Sequence, residues 1–306
     1  MENNPIRLDA GESAFFLRQL EYIKARTYDQ KLKTLKAKTL IPVSTEANPA
    51  AENITYRRFD AVGIAKIIAD YAQDFPRVDI YGTEQTVKVH GIGDAYGYNI
   101  MEIRRAAMAG LSLEQRKANT ARRAIEEKSD SIAWLGDSDY NIQGFINYPG
   151  ISEYTVPDPG SGTEWANKTG DEILADLNGI VFGIIDSTNG VEAPDTMLMP
   201  ITQYNLISGI RIGDGSDKTI KTFFLENNGY IKTIEWVTEL KGAGAGGADR
   251  FMVYSRDDNH ITLEIPQMFE QFPPQQKGME YEIMCHERTG GVIMYYPQSV
   301  AYGDGI

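Results

Sequence analysis

Residues 112–136 read SLEQRKANTARRAIEEKSDSIAWLG, and this stretch decides the fold. Ser112 and Gln115 have the spacing of a capping box, in which each side chain hydrogen-bonds a free backbone N–H at the start of a helix. Arginine and glutamate residues recur four positions apart on one face, and Gly136 suits a helix end. The opposite face carries small and apolar residues: Ala118, Ala121, Ile125 and Ile132. The pattern predicts one helix over 112–135, about 36 Å long, which is typical of a structural beam.

A second capping box, formed by Thr169 and Glu172, predicts another helix over 169–185. Short helices are predicted over 201–207 and 220–226. Runs rich in apolar and β-branched residues predict strands. These runs cover 196–200, 231–237, 250–254, 261–265, 281–286 and 292–296. This mixture of helices and strands predicts an α+β fold.

Upstream of the beam helix, residues 54–68 and 85–90 are extended runs separated by the polar stretch 70–77. They predict two long strands joined by a wide tip. A hairpin this long, with so many charges, cannot bury both faces within its own subunit, which favours an arm that projects from the body. An ordinary antiparallel pair folded onto the core is the alternative.

The first 45 residues contain a predicted helix over 14–26 and a basic stretch. Between residues 18 and 38 the sequence has seven basic residues against two acidic ones. One interpretation is a solvated helix face followed by a flexible arm. The other is an arm that docks on the acidic surface of a neighbouring copy.

The composition limits the function. The 306 residues carry a formal charge of −13 and 42% hydrophobic residues, so the chain can fill a core but is poorly suited to binding phosphates. The single cysteine, Cys285, excludes an intramolecular disulfide and is predicted to be a buried thiol in a strand. We find no signal-peptide pattern at the N-terminus and no apolar run of about 18 residues. The sequence predicts a cytosolic product without a membrane span.

Gly242, Gly244 and Gly247 have the G-x-G-x-x-G spacing of dinucleotide-binding loops. Such a loop needs a strand before it and a helix after it, so that the pyrophosphate meets a helix N-terminus. The residues that follow, 249–255, have the composition of a strand. The tract therefore predicts a mobile loop, and a nucleotide-binding oxidoreductase is the weaker alternative.

No other motif indicates catalysis or metal binding. The three histidines, His90, His260 and His286, are too dispersed for a metal motif. The Asp257–Asp258 pair before His260 is better explained by a turn between strands, and 214–217 lacks the ligand spacing of a calcium loop. The sequence contains neither a P-loop nor a nucleophile elbow. We predict that the chain is not an enzyme and has no catalytic residue, metal or cofactor.

Seven stretches together resemble one family. They are LRQLEYIKARTYD (17–29), IPVST (41–45), GYNIMEI (97–103), EQRKAN (114–119), GVEAPD (190–195), ELKGAGAGG (239–247) and RTGGV (288–292). With the order of the predicted elements, they resemble the major capsid proteins of tailed bacteriophages. These have the Hong Kong ninety-seven-like capsid fold, which encapsulin nanocompartments share. The likeness runs over nearly the whole chain, although no single stretch is diagnostic.

The resemblance implies a division of the chain. Residues 1–45 would be the N-terminal arm and 46–99 the E-loop hairpin with its flanking strands. Residues 100–164 would belong to the peripheral (P) domain, with the spine helix at 112–135. Residues 165–275 would form the axial (A) domain, and 276–306 would return to the P domain as a strand.

The resemblance also implies a function. The chain would assemble with itself, through hexamers and pentamers, into an icosahedral virion capsid that encloses double-stranded DNA without sequence-specific binding. Assembly would take place in the host cytoplasm, without a membrane. A portal protein, a separate scaffolding protein and a decoration protein are the further partners expected. An encapsulin-like nanocompartment shell is the alternative.

Two features of the family are not carried over. Only about ten residues precede the first predicted helix, so we expect no cleaved scaffolding segment in this chain. Lys66 and Lys88 lie on the predicted E-loop, but neither aligns with the lysine that cross-links some relatives, and we predict no covalent cross-link.

Candidate contacts between subunits come from three regions. The arm contributes basic residues, the tip of the hairpin contributes aromatic and basic residues, and the glycine tract contributes a loop that could adopt different shapes in hexamers and pentamers. The candidates are Arg18, Lys24, Arg26, Tyr71, Phe75, Arg77, Tyr81, Gly242, Gly244, Gly246 and Gly247.

Overall fold

The computed structural model describes residues 32–62, 79–109, 113–160, 162–213 and 217–306. It separates the chain into two units, Met1–Thr34 and Leu35–Ile306, and every element below belongs to the second. The predicted helix over 14–26 and the Ser112 cap lie outside the described residues.

The α-helices of the described residues are α1 (Ala37–Leu40), α2 (Ile100–Ala109), α3 (Leu113–Leu135), α4 (Gly170–Ser187), α5 (Ile201–Gly209) and α6 (Ile220–Asn227). The strands before the glycine tract are β1 (Val43–Ser44), β2 (Asn53–Val62), β3 (Asp79–Lys88), β4 (His90–Asn99), β5 (Gly136–Asp137), β6 (Ile142–Gln143), β7 (Ser152–Thr155), β8 (Thr196–Met199) and β9 (Thr233–Trp236). The strands after it are β10 (Arg250–Tyr254), β11 (Ile261–Glu264), β12 (Gln267–Gln271), β13 (Gln275–Lys277), β14 (Glu280–Thr289), β15 (Gly291–Met294) and β16 (Val300–Asp304).

The predicted beam helix is confirmed as α3, with 23 residues. It stops at Gly136, whose φ of 73° lies in the left-handed region that glycine adopts without strain. Ala121, Ile125 and Ile132 are buried against β4 and β14, as their spacing predicts. The predicted i,i+4 pairs also form, because Arg122 and Arg123 donate to Glu126 and Glu127 over 2.9 and 2.7 Å.

Helix α3 packs on a sheet of β12, β14, β13 and β4. Strands β4 and β14 pair antiparallel along ten residues, from His90 opposite Thr289 to Asn99 opposite Glu280. Ile283 and Cys285 of β14 face the helix and are buried, which confirms the predicted buried thiol. Burial raises the pKa of that thiol, so Cys285 acts as a packed apolar side chain.

The largest sheet has the order β7-β16-β10-β8-β9, and its strands β10 and β8 are buried on both faces. Phe251 and Val253 of β10 face a core with α4, whereas Met252 and Tyr254 face a second core that includes Trp134 at the end of α3. Side chains alternate between the faces of a strand, so burial on both faces requires an unbroken apolar run. The predicted strands over 196–200 and 250–254 have that character and are confirmed as β8 and β10.

Helix α4 begins with the predicted capping box. Glu172 accepts from the Thr169 N–H over 2.7 Å, and the Thr169 hydroxyl accepts from the Glu172 N–H over 3.4 Å. Beneath the helix, Lys168 and Asp176 form a buried ion pair over 2.7 Å. Trp165 Nε1 also donates to Asp176, over 3.0 Å, so this buried carboxylate is satisfied.

Residues 276–306, for which the resemblance implied one returning strand and the sequence pattern two strands, contain the three strands β14, β15 and β16, each in a different sheet. β14 pairs with β4, β15 pairs with β11, and β16 lies between β7 and β10. Gly291, with a φ of 76°, and Pro297 divide the segment, because neither residue suits the interior of a continuous strand. The domain limits implied by the resemblance stay a prediction.

Candidate assembly surfaces

The predicted hairpin consists of β2 and β3, paired antiparallel from Asn53 opposite Lys88 to Val62 opposite Asp79. The two strands pair with no other strand of the described residues. At the usual rise, ten residues span about 33 Å. All eight residues from Asp79 to Thr86 are exposed, which excludes a pair folded onto the core along this length.

Both faces of this ribbon carry exposed apolar side chains. Phe59 and Ile80 lie on one face and Tyr81 on the other, and they are 66%, 67% and 62% exposed. The Phe59 ring covers Gly82, where a Cβ would lie 3.0 Å from its Cε1. A two-stranded hairpin is marginally stable in water by itself, so the ribbon needs a further surface to cover it.

Polar pairs between the strands set the register. Arg57 Nε donates to Glu84 over 3.3 Å, and the hydroxyls of Thr55 and Thr86 are 2.9 Å apart. Exposed pairs of this kind stabilise by about 0–1 kcal/mol each. The ribbon therefore has a defined pairing but little stability of its own.

The base of the hairpin is packed on the body. A Cβ on Gly290 would lie 3.3 Å from Ile54 Cδ1 and 3.2 Å from Glu264 Cβ, so the backbone approaches closely at this glycine. The rings of Tyr56 and Tyr295 meet edge to face, 5.1 Å apart. Burial, together with the neighbouring Tyr148, raises the pKa of Tyr56 to about 12. The hairpin is therefore anchored at its base and exposed beyond it.

The glycine tract forms a loop whose backbone is held by two carboxylates. Gly242, Gly246 and Gly247 have φ of 68°, 69° and 84°. The Gly242 N–H donates to Asp249 Oδ1 and the Ala245 N–H to Asp304 Oδ2, each over 2.9 Å. Two carboxylates thus hold the loop backbone in this structure, and the mobility predicted from the sequence stays a prediction.

Asp304 connects this loop to the centre of the large sheet. Arg250 donates to both of its carboxylate oxygens, over 2.6 and 2.7 Å. The guanidinium also lies 4.4 Å from the Tyr302 ring centroid and donates to the Ile146 carbonyl over 2.5 Å. Burial raises the pKa of Asp304, but the hydrogen bonds from Arg250 and Ala245 outweigh it, and the pKa lies below its usual value.

This geometry contradicts a dinucleotide site. The tract runs into strand β10 rather than into a helix. Its N–H groups at Gly242 and Ala245 already bind carboxylates, and Asp249 and Asp304 would repel a pyrophosphate. The oxidoreductase interpretation, which depended on these glycines alone, is therefore wrong.

The end of the basic stretch binds acidic groups of its own chain. Lys36 Nζ lies 2.9 Å from Glu235 and 3.6 Å from the centroid of the Trp236 ring. Lys38 Nζ lies 3.0 Å from Glu287, which is 0% exposed and also accepts from the Ser129 hydroxyl over 2.6 Å. Neither interpretation of the basic stretch anticipated this, because the buried carboxylate that needs a cation lies far away in the sequence.

The eleven predicted contact residues fall into three groups. Tyr81 is on the exposed ribbon, and Gly242, Gly244, Gly246 and Gly247 are in the carboxylate-bound loop. The remaining six lie outside the described residues: Arg18, Lys24, Arg26, Tyr71, Phe75 and Arg77. Sequence reasoning missed Phe59 and Ile80, although an aromatic residue inside the charged run 57–60 was a usable signal.

Within the described ranges, no three or more His, Cys, Asp or Glu side chains are grouped to hold a metal ion. His260 contacts Glu192 over 2.9 Å beside the Asp257–Asn259 turn, so the predicted turn is confirmed. No helix in the described part of the chain is both long and apolar enough to span a membrane.

An α+β body that carries an anchored, mostly exposed ribbon is the architecture of a structural subunit. The chain belongs to the major capsid protein family, whose model matches residues 63–306. It is thus a subunit of a virion capsid, and it associates with itself to form the shell. The family resemblance inferred from the sequence is confirmed.

Solved structures share the fold. The capsid of Myoviridae phage XM1 matches with a TM-score of 0.81 and 19% identity, over 94% of this chain and 98% of that one. A Mycobacterium phage Bobi structure matches with a TM-score of 0.64 and 14% identity, over 97% and 99%. A virus-like particle from Pyrococcus furiosus matches with a TM-score of 0.54 and 12% identity, over 89% and 92%. No curated protein sequence matches the chain significantly.

Proposed function

We propose that this chain forms the icosahedral capsid of a tailed bacteriophage, through hexamers and pentamers, and that the capsid encloses double-stranded DNA. The exposed ribbon of β2 and β3 is the observation that carries the proposal. Its apolar residues Phe59, Ile80 and Tyr81 have no cover among the described residues of their own chain. A neighbouring copy supplies that cover at every position of a closed shell.

We assign each segment of the chain the role in assembly that the family resemblance implies. Residues 46–99 act as the E-loop that reaches a neighbour, 100–164 as the P domain and 165–275 as the A domain at the centre of each capsomer. The C-terminal part of the arm, 1–45, is held on its own chain, because Lys36 and Lys38 form ion pairs with Glu235 and Glu287. Any docking of the arm on a neighbour therefore falls to residues before Lys36.

The charge of the chain fits confinement of DNA better than binding. With a formal charge of −13, the subunit would repel a polyanion on average. A genome that is held by a closed wall needs no attraction to that wall. The chain would then catalyse nothing, and a portal, a separate scaffolding protein and a decoration protein would be its partners during assembly in the host cytoplasm.

Electron microscopy tests the proposal. The protein is expressed alone and with a candidate scaffolding protein, and the products are examined by negative stain and by nucleic-acid content after nuclease treatment. Hollow shells, or rings that convert to shells, support it. A monodisperse monomer or dimer in every condition would contradict it.

A nanocompartment shell is the second candidate, because the fold is shared with the Pyrococcus furiosus virus-like particle. Small uniform particles that contain a protein cargo would favour it. Larger particles with one distinct vertex would favour the phage capsid.

A further inference from the structure

We propose that the C-terminal end of α3 in one copy binds the arginines of α2 in a neighbouring copy, so that oppositely charged ends of the two subunits meet. This contact deepens the proposed function, on which it rests, by naming one surface through which copies associate.

The C-terminal end of α3 has an excess of negative charge. The last turn contains no basic residue, and the helix dipole places its negative end there. Asn147 Nδ2 donates to the Leu135 carbonyl at this end over 2.8 Å. Asp137 and Asp139 follow directly. A cleft of about 500 Å³ opens at this end, lined by Asp137, Ser138, Asn141 and Gln143. The carboxylate of Asp137 in this lining suits a cationic side chain.

Among the described residues, the negative charge at the C-terminal end of α3 is only partly neutralised. Lys128 Nζ lies 3.0 Å from Asp137 Oδ2, and this hydrogen bond lowers the pKa of Asp137. Asp139 is exposed and forms no ion pair within the part of the chain that the structure describes. His90 lies nearby, against Tyr140, but burial and Lys88 lower its pKa, which disfavours the charged form.

Helix α2 has the complementary surface. Arg104 and Arg105 are exposed and form no direct ion pair among the described residues. Arg105 Nε donates to the Met101 carbonyl over 3.3 Å, and its charge helps to lower the pKa of Glu102. Glu102, on the same helix, is bound by Lys117 over 2.9 Å. Met108, on the same helix, is 91% exposed and adds an apolar contact beside the arginines.

These two surfaces are too far apart to neutralise each other within one chain. The Glu102–Lys117 pair places the start of α2 beside the first half of α3. From Lys117 to Leu135 the helix rises about 27 Å, and Arg104 and Arg105 are less than one turn from Glu102. Charges in solution are screened beyond about 8 Å at physiological salt. Among the described residues neither surface has a full counter-charge, and a neighbouring copy would supply it to each.

Charge reversal tests the contact in the full-length chain. One variant carries Arg104→Glu and Arg105→Glu, a second carries Ser138→Arg and Asp139→Arg, and a third carries all four. Each pair alone should lower the yield of shells about tenfold, because like charges then face each other. The third variant should recover most of the yield, because attraction is restored with the signs exchanged.

Two controls separate assembly from other effects. Arg211→Glu with Lys218→Glu changes the net charge by the same amount as the first pair, on another exposed surface, and tests whether net charge alone lowers the yield. The loss of yield should be smaller than that of the first pair. Thermal melting of unassembled subunits should be the same for all variants, since the four mutated side chains are exposed.

The results of this experiment tell whether the proposed contact alone is wrong or whether the proposed function is wrong as well. If wild-type protein forms shells and either pair variant forms them equally well, or if the four-fold variant fails to recover, the contact is wrong and the function stands. If wild-type protein forms no shells with any scaffolding protein, the proposed function fails and the contact fails with it.

Discussion

The backbone amide of Ala245 donates to the carboxylate of Asp304 over 2.9 Å, which joins the glycine tract to strand β16. The same carboxylate binds the buried guanidinium of Arg250. One side chain therefore fixes the shape of the loop and satisfies a buried cation at the centre of the large sheet.

Replacing Asp304 with asparagine should unfold the subunit more easily. The amide cannot accept hydrogen bonds at both positions, and Arg250 loses its counter-charge while it stays buried. Breaking a buried pair in this way costs about 3–5 kcal/mol. Urea denaturation of unassembled subunits measures the loss. Asp217→Asn, at a fully exposed carboxylate, is the control and should change stability little.

The contribution of Asp304 should depend on pH in one direction. Its pKa is lowered in the folded chain, so the unfolded chain binds the proton first as the pH falls. The stabilisation is fully present above the ordinary aspartate pKa of about 3.9 and is lost as the pH falls through the lower folded value. The stability difference between wild type and Asp304→Asn should accordingly be constant near neutrality and shrink under acid conditions. A difference that grows on acidification would contradict this assignment.

Replacing Lys38 with methionine should destabilise the body rather than the arm. Glu287 is fully buried, so removal of its cation leaves an uncompensated carboxylate and costs about 3–5 kcal/mol. Adding Glu287→Gln should recover much of the loss, because the amide can still accept from Ser129. The four members of this double-mutant cycle are compared by urea denaturation. Equal losses in the single and double variants would show that Lys38 acts by packing alone.

Replacing Phe59 and Tyr81 with serine should affect assembly and not folding. Both side chains are exposed in the subunit, so stability should change by no more than about 0.5 kcal/mol. The yield of shells should fall, because the two faces of the ribbon lose the apolar area that a neighbour covers. Sedimentation of assembly mixtures measures the yield. Val191→Ser, at another exposed apolar residue, is the control, and an unchanged yield in the ribbon variant would argue against the E-loop role.

Removing Lys168 should lower the free energy of unfolding, because it leaves a buried carboxylate without its cation, as removing Lys38 does. The carboxylate here, Asp176, lies in a different core. Lys168→Met leaves Asp176 buried with only the Trp165 indole as a partner, and the expected loss is about 3 kcal/mol. Lys241→Met, at an exposed lysine, is the control for loss of a positive charge. Urea denaturation measures both, and equal stabilities would show that Asp176 takes up a proton instead.

The sequence predicts best where local signals agree with the fold. The Thr169–Glu172 capping box and the apolar stripes place α3 and α4 within about two residues, since cap, periodicity and helix end all indicate the same element. Strand β4 was missed because Gly91, Gly93 and Gly97 remove the alternation that identifies a strand, and its ten-residue pairing with β14 overrides the low propensity of glycine. Helix α2 was also missed.

The candidate surfaces were only partly predictable, because long-range contacts decide them. The ribbon could be anticipated from its length and charge. The carboxylates that hold the glycine tract could not, because Asp304 is brought to Ala245 only by the pairing of β10 with β16. The same holds for Lys38, whose partner Glu287 is identified by burial rather than by any local motif.

The position of β16 has a consequence for the timing of subunit synthesis. This strand lies between β7 and β10, yet it is translated after both. A ribosome-bound chain therefore cannot join β7 to the rest of the large sheet, or give Arg250 its counter-charge, until residue 304 has left the exit tunnel. Until then β7 has no partner strand and Arg250 lacks its carboxylate, so the large sheet cannot reach its native strand order.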